Sequence, residues 1–293
     1  MKQLFISVLL ALVIGSATAS AVTTQDENEG KYSLKNGNLT MTIDAAKGAK
    51  ILSFKYDDGE IISQSRWPEA FGSTFWTSPQ KEWFWPPVPE YDKKPYQVEE
   101  ADGVLRMTSE VNEKLKYRIR KEFAVDEQDK AFVITYTIIN ESDETRKVAP
   151  WEITRVENKG GLIFFEAPVD SIWPTNLMNF SPAFGCAWYQ ADEAGENRKV
   201  NADGKGWLAY AYGGLLLVKR FEDLSPSQPA PNEAEIQVYV NRGKTYIELE
   251  SQGAYTTLQP KEQLSWTVRW YLLPSSAQEP SETLLQQVKA LLK

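Results

Sequence analysis

Apolar residues recur at every second position along most of this chain. Leu39, Met41 and Ile43 alternate with Thr40 and Thr42, and Phe132, Ile134, Tyr136 and Ile138 oppose Val133, Thr135 and Thr137. Period two puts successive side chains on opposite faces of a strand, so such a segment buries one face and wets the other. Further strands read at Lys50–Tyr56, Val104–Ser109, Tyr117–Phe123, Val148–Val156, Leu162–Phe165, Trp207–Tyr212, Leu215–Phe221, Glu235–Asn241, Thr245–Ser251 and Leu264–Leu273. Turn residues separate them, as at Asp57-Asp58-Gly59, Asp102-Gly103, Asn140-Glu141-Ser142-Asp143 and Asn241-Arg242-Gly243. About a dozen strands at this spacing, without an alternating βαβ pattern, predict an all-β chain folded as a large antiparallel sandwich. Only the C-terminus has helical spacing. Ser281 is placed as an N-cap, and Leu284, Leu285, Val288, Leu291 and Leu292 fall on one face of a short helix expected to pack outside the sandwich.

The first residues follow a different rule. Met1-Lys2 precedes an apolar run from Leu4 to Ile14 and small residues ending at Ala21, the pattern of a secretory signal peptide over residues 1–21. The expected product is periplasmic or secreted. No Cys follows the cleavage point to carry a lipid, and no later run is long enough to span a bilayer. Residues 22–30 are polar and acidic, a flexible lead-in to one domain over 31–293.

What the chain lacks narrows its chemistry. It contains no histidine and a single cysteine, Cys186. Ser-His-Asp and Cys-His catalysis, His-ligated metals, intrachain disulfides and thiolate zinc sites are therefore excluded, and no metal or cofactor is expected. A net charge of −8 and a pI near 4.9 argue against nucleic acid and anionic membranes as partners.

Two segments interrupt the strand pattern. Arg66–Tyr96 interleaves Trp67, Trp76, Trp83, Trp85 and other aromatics with six prolines; Asp170–Gly206 holds Trp173, Phe180, Phe184, Trp188 and Tyr189 among turn residues. Long connections that are ordered are often functional. Proline restricts φ and holds neighbouring rings in place, and an indole face matches the C–H face of a pyranose. The same rings would equally well plug an open end of the sandwich.

Two strands carry polar candidates. In Thr245–Gly253, Glu248 and Glu250 project from one face with Gln252 in register; two like charges that close raise at least one pKa. A solvated outer face would give the same spacing. In Ala149–Arg155, Trp151, Ile153 and Arg155 share a face and Glu152 lies on the other. Arg155 is placed either to clamp a ligand or to pair with an acid on a neighbouring strand.

Together these stretches resemble the galactose mutarotase-like superfamily, which contains the aldose 1-epimerases. The resemblance rests on Asn38–Asp44 with Gly48–Phe54, Phe75–Gln80 with Trp83–Pro87, Ala149–Arg155, and Tyr246–Gly253 followed by Leu258-Gln259-Pro260. It implies a β-supersandwich and a sugar ligand. Aldose 1-epimerases keep their general base in a stretch reading Leu-Glu-Thr-Gln, which Leu249-Glu250-Ser251-Gln252 matches, so Glu250 takes the base position. Their acid is a histidine, and the best register places Trp151 there.

Mutarotation takes a proton from the anomeric hydroxyl and gives one to the ring oxygen, and losing one such partner removes about 10²–10⁴-fold. Glu152 or Glu248 would have to replace the acid. The expectation is therefore an exported protein that binds a mono- or oligosaccharide, with Trp76, Trp83, Trp85 and Trp151 stacking the sugar and Arg155, Glu248, Glu250 and Gln252 meeting its hydroxyls. The alternatives are a carbohydrate-active enzyme (an atypical aldose 1-epimerase, a glycosidase or a lyase) using Glu250, with Glu152 as a candidate acid, and a non-catalytic protein-interaction module.

Overall fold

The computed structural model describes residues 23–26, 30–65, 67, 70–192, 196–243 and 245–293. The expected leader and, of the lead-in, residues 22 and 27–29 lie outside them. Within the lead-in, Thr23–Asp26 is extended and pairs with Lys31–Asn36, a strand where irregular chain was expected.

Two antiparallel sheets carry the chain. The first runs, in spatial order, Thr23–Asp26, Lys31–Asn36, Leu39–Asp44, Lys50–Tyr56, Ser73–Ser78, Arg146–Val156, Ile247–Gln252, Ile236–Val240 and Arg198–Ala202. The second runs Ser181–Ala183, Cys186–Asp192, Lys159–Phe165, Trp207–Tyr212, Leu215–Arg220, Gln263–Pro274, Ala131–Asn140, Tyr117–Asp126, Val104–Thr108 and Gln97–Ala101. Alternation gives each strand an inward face: Leu39, Met41 and Ile43 meet Ile119, Phe123, Ile134 and Trp270 in the core between the sheets. The C-terminal helix, Glu282–Leu291, lies outside the second sheet. Its Leu284, Leu285 and Val288 cover Phe164, Trp188, Trp207 and Leu216, and the Ser281 hydroxyl accepts from the Leu284 amide.

The structure departs from the sequence reading in the two interrupted segments. Ser73–Ser78 is a strand inside the first, and Cys186–Asp192 and Arg198–Ala202 are strands inside the second. Ser73–Ser78 is buried at all six positions, so it has no wet face and no alternation to read. Gly72 leads into it at φ +63°, where a Cβ would stand 2.6 Å from the Ile51 carbonyl oxygen. The rest of this segment divides its aromatics between two tasks. Tyr91 and Tyr96 fill the core, while Trp76 and Trp85 face outward over the first sheet.

Candidate functional site

Five neighbouring strands of the first sheet place the polar and aromatic candidates. Register aligns Trp76 with Trp151 and Gln252; Thr74 with Ile153, Glu250 and Gln237; and Arg155 with Glu248, Tyr239 and Lys199. All lie on one face by alternation, the face turned away from the second sheet. The intervening Phe75, Val148, Leu249 and Val238 belong to the core between the sheets.

This outer face forms a cleft of about 300 Å³. Trp76, Trp85, Trp151, Tyr239 and Tyr246 make its aromatic wall, and Glu248, Glu250, Lys199, Gln80 and Asn241 its polar lining. The rings are fixed. Trp76 meets Trp151 edge-on at 5.3 Å and Trp85 at 6.2 Å between centroids. Its indole N–H donates to Asp92 Oδ1 at 3.0 Å. Asp92, carried on the short helix Pro89–Asp92, also accepts from Thr74 (2.8 Å) and Lys50 (3.0 Å). Burial opposes the ionisation of Asp92, yet Lys50 and the Trp76 donor hold its carboxyl below the ordinary range.

Glu250 sits at the floor with its side chain 1% exposed. One oxygen accepts from the Trp151 indole at 2.8 Å and from Lys199 Nζ at 2.9 Å, and the Lys199 ammonium lies 4.6 Å above the Trp151 ring. Burial pushes the Glu250 pKa up to about 7; Lys199 pulls it down and the neighbouring Glu248 charge pushes it up. Glu248 is paired with Arg155 at 2.7 Å. The Arg155 guanidinium also donates to the Phe71 carbonyl and lies 5.7 Å from the Trp76 ring and 5.5 Å from that of Tyr246. Burial pushes the Tyr246 hydroxyl up to about 12, so it serves as a neutral donor near neutrality.

Of the residues singled out in the sequence, Trp76, Trp85, Trp151, Glu248 and Glu250 line the cleft. Four others are placed differently. Trp83 backs the wall, 5.5 Å from Trp76, and donates its N–H to the Thr77 carbonyl. Arg155 is 1% exposed and committed to Glu248, the ion pair the sequence allowed as an alternative to ligand binding. Gln252 is fully buried and donates to Glu233. Glu152 is corrected as a candidate acid: alternation turns it to the opposite face, where it meets Lys219, Tyr136 and Trp270 between the sheets and cannot reach a ligand beside Glu250.

Lys199, Tyr239, Asn241 and Gln80 were not foreseen. Lys199 belongs to a segment read as loop and reaches Glu250 only because Arg198–Ala202 joins the sheet two strands away. No local signal announces that pairing. Tyr239 could have been found, since its strand was read correctly and register alone sets it beside Glu248. Among the described residues no group of three or more His, Cys, Asp or Glu is placed to hold a metal ion, and no helix is long and apolar enough to cross a membrane.

No family profile and no curated protein sequence matches this chain. Solved structures do. A candidate aldose 1-epimerase from Escherichia coli K12 superposes with a TM-score of 0.61 at 12% identity, covering 83% of this chain and 99% of its own. This is a galactose mutarotase-like fold. A galactose mutarotase-like protein from Lactobacillus casei gives 0.57 at 12% identity, covering 83% of this chain and all of its own. One from Clostridium acetobutylicum gives 0.57 at 10% identity, covering 87% and 99%. The mutarotase-like sandwich expected from Leu249–Gln252 and the aromatic segment is thus present.

Proposed function

We propose that this protein is an exported carbohydrate-binding protein whose ligand occupies the cleft above Glu250. The observation that carries the reading is the convergence of a rigid aromatic wall with Glu248, Glu250 and Lys199 in one cleft. Apolar C–H faces of a pyranose suit Trp76, Trp85 and Trp151, and its hydroxyls suit the carboxylates, the ammonium and Asn241. The mutarotase-like fold supports a sugar over another ligand with one apolar and one polar face. Export follows from the N-terminal pattern and is checked by fractionating cells that express the full chain.

Binding is measured by calorimetry or tryptophan fluorescence with galactose, glucose, mannose and their oligosaccharides. A saturable response from one of these, weakened in E250Q with native circular dichroism, is the expected result. No response to any of them at millimolar concentration overturns the reading.

One observation favours a catalytic variant of the same reading. A carboxyl with a pKa near 7 is present in both protonation states at neutrality, which suits proton exchange at an anomeric centre. With no histidine in the chain, Glu250 and Lys199 are the proton-transfer pair facing the cleft. Free aldoses are expected to be anomerised far more slowly than by a histidine-bearing enzyme. Polarimetry decides: a kcat/KM in the ordinary range of roughly 10⁴–10⁸ M⁻¹s⁻¹, abolished in E250Q, would make the protein a mutarotase.

A further inference from the structure

We propose that the ligand is a glycan chain, its end residue in the cleft and the following residues laid along the strand Arg198–Ala202 into a second groove beside Trp173. This rests on the carbohydrate reading of the cleft and deepens it. Arg198–Ala202 is the outermost strand of its sheet. Lys199 and Asn201 point to the cleft face, and Asp203 follows directly after the strand. Lys199 lines the cleft; Asp203 and Lys205 line the groove. The strand carries extended chain from Lys199 to Ala202, three residues or about 10 Å, before Asp203. That is the span of a short oligosaccharide and too long for one sugar ring.

Trp173 stands between the two ends. Its backbone amide donates to the Asn201 carbonyl at 3.0 Å and its carbonyl accepts from the Asn201 amide at 2.7 Å, which staples it to the open edge of the strand. Its side chain is nevertheless 41% exposed. The adjoining groove holds about 790 Å³, more than the cleft itself. Its floor supplies what a pyranose needs. Trp173 offers a flat apolar face, Lys205 a donor, and the Asp203 carboxylate an acceptor. A purely apolar protein-docking patch would not need that polar floor, although Leu177 and Phe184 are also exposed.

The test is calorimetry of the full chain with ladders of one to six β-1,4-linked glucose, mannose or galactose residues. Wild type is expected to gain at least tenfold in affinity between one and four residues on the ladder it recognises. W173A should abolish that gain, so that four residues bind no better than one, while E250Q weakens every length. If W173A misfolds, D203A, which removes the acceptor, carries the same expectation. Equal affinity at every length, or a length gain that survives both W173A and D203A, overturns the chain proposal and leaves the cleft reading intact. Failure of every ladder and monosaccharide to bind overturns both.

Discussion

Glu152 and Glu250 lie on adjacent strands one register position apart, and each accepts a tryptophan N–H and a lysine ammonium. Glu152 meets Trp270 at 3.0 Å, Tyr136 at 2.7 Å and Lys219 at 2.5 Å; Glu250 meets Trp151 at 2.8 Å and Lys199 at 2.9 Å. The difference is what lies on the remaining side. Around Glu152 the protein closes completely, with Lys219 fully buried and itself donating to Thr154. Around Glu250 the counter-ion is one-third exposed and the cleft is open. The same chemical pairing therefore cross-links the two sheets in one place and presents a titratable group to a ligand in the other.

The largest effect should come from breaking the interior pair. Glu152→Ala leaves the Lys219 ammonium buried without its counter-charge, a situation that typically costs about 3–5 kcal/mol. Chemical denaturation should show that loss, and thermal melting a drop of roughly 10 °C. Glu250→Gln keeps an acceptor for both Trp151 and Lys199 and should cost within about 1 kcal/mol. Equal losses would erase the distinction between the two sites.

The next effect concerns pH. Glu250 has a folded pKa raised by burial to about 7 from an ordinary 4.5. Between those values the folded state binds more protons than the unfolded chain, so stability is greatest below pH 4.5 and falls as pH rises towards 7. At 1.36 kcal/mol per pKa unit the decline is at most about 3 kcal/mol. Glu235, raised to about 7 by burial, acts in the same direction. The decisive quantity is therefore the difference between wild type and E250Q. Urea midpoints at pH 5 and 7.5 should show a shallower decline in E250Q; parallel profiles would mean that Glu250 ionises as easily as a solvated acid.

On the ligand side, a hydrogen bond to a charged group contributes about 1.5–3 kcal/mol. E250Q should therefore weaken sugar binding by roughly 10–100-fold, measured by calorimetry near neutrality. Glu152→Gln, if it folds, should leave the affinity within about threefold of wild type, because Glu152 has no path to the cleft.

How much of this contrast was legible before the fold was known depends on which interactions were local. Alternation on Ala149–Arg155 puts Glu152 and Trp151 on opposite faces, so the sequence itself holds the reason that Glu152 cannot serve the site. Leu249–Gln252 located Glu250 correctly on an outward face. The strands that alternate, such as Leu39–Asp44 and Tyr117–Asp126, were readable because each has one wet side. Ser73–Ser78 was not, being dry on both. Lys199 was invisible for another reason: its partner is 51 residues away, and only sheet order brings them together.

The smallest prediction isolates the two lysines. Lys199→Met removes a counter-ion whose side chain is one-third exposed, and pairs of that kind are worth about 0–1 kcal/mol. Its ammonium lies 4.6 Å above the Trp151 ring, where the methionine chain puts an apolar group of similar length. Stability at pH 7 should therefore change by no more than about 1 kcal/mol, whereas Lys219→Met strands Glu152 and should cost several-fold more. Lys199→Met also removes the positive charge that holds the Glu250 pKa down, so Glu250 should titrate higher in the variant. The comparison is read from the Glu250 carboxyl carbon by NMR titration, wild type against K199M. An unchanged midpoint would show that Lys199 does not share charge with Glu250 in solution, and that nothing from this lysine offsets the upward push of burial and Glu248.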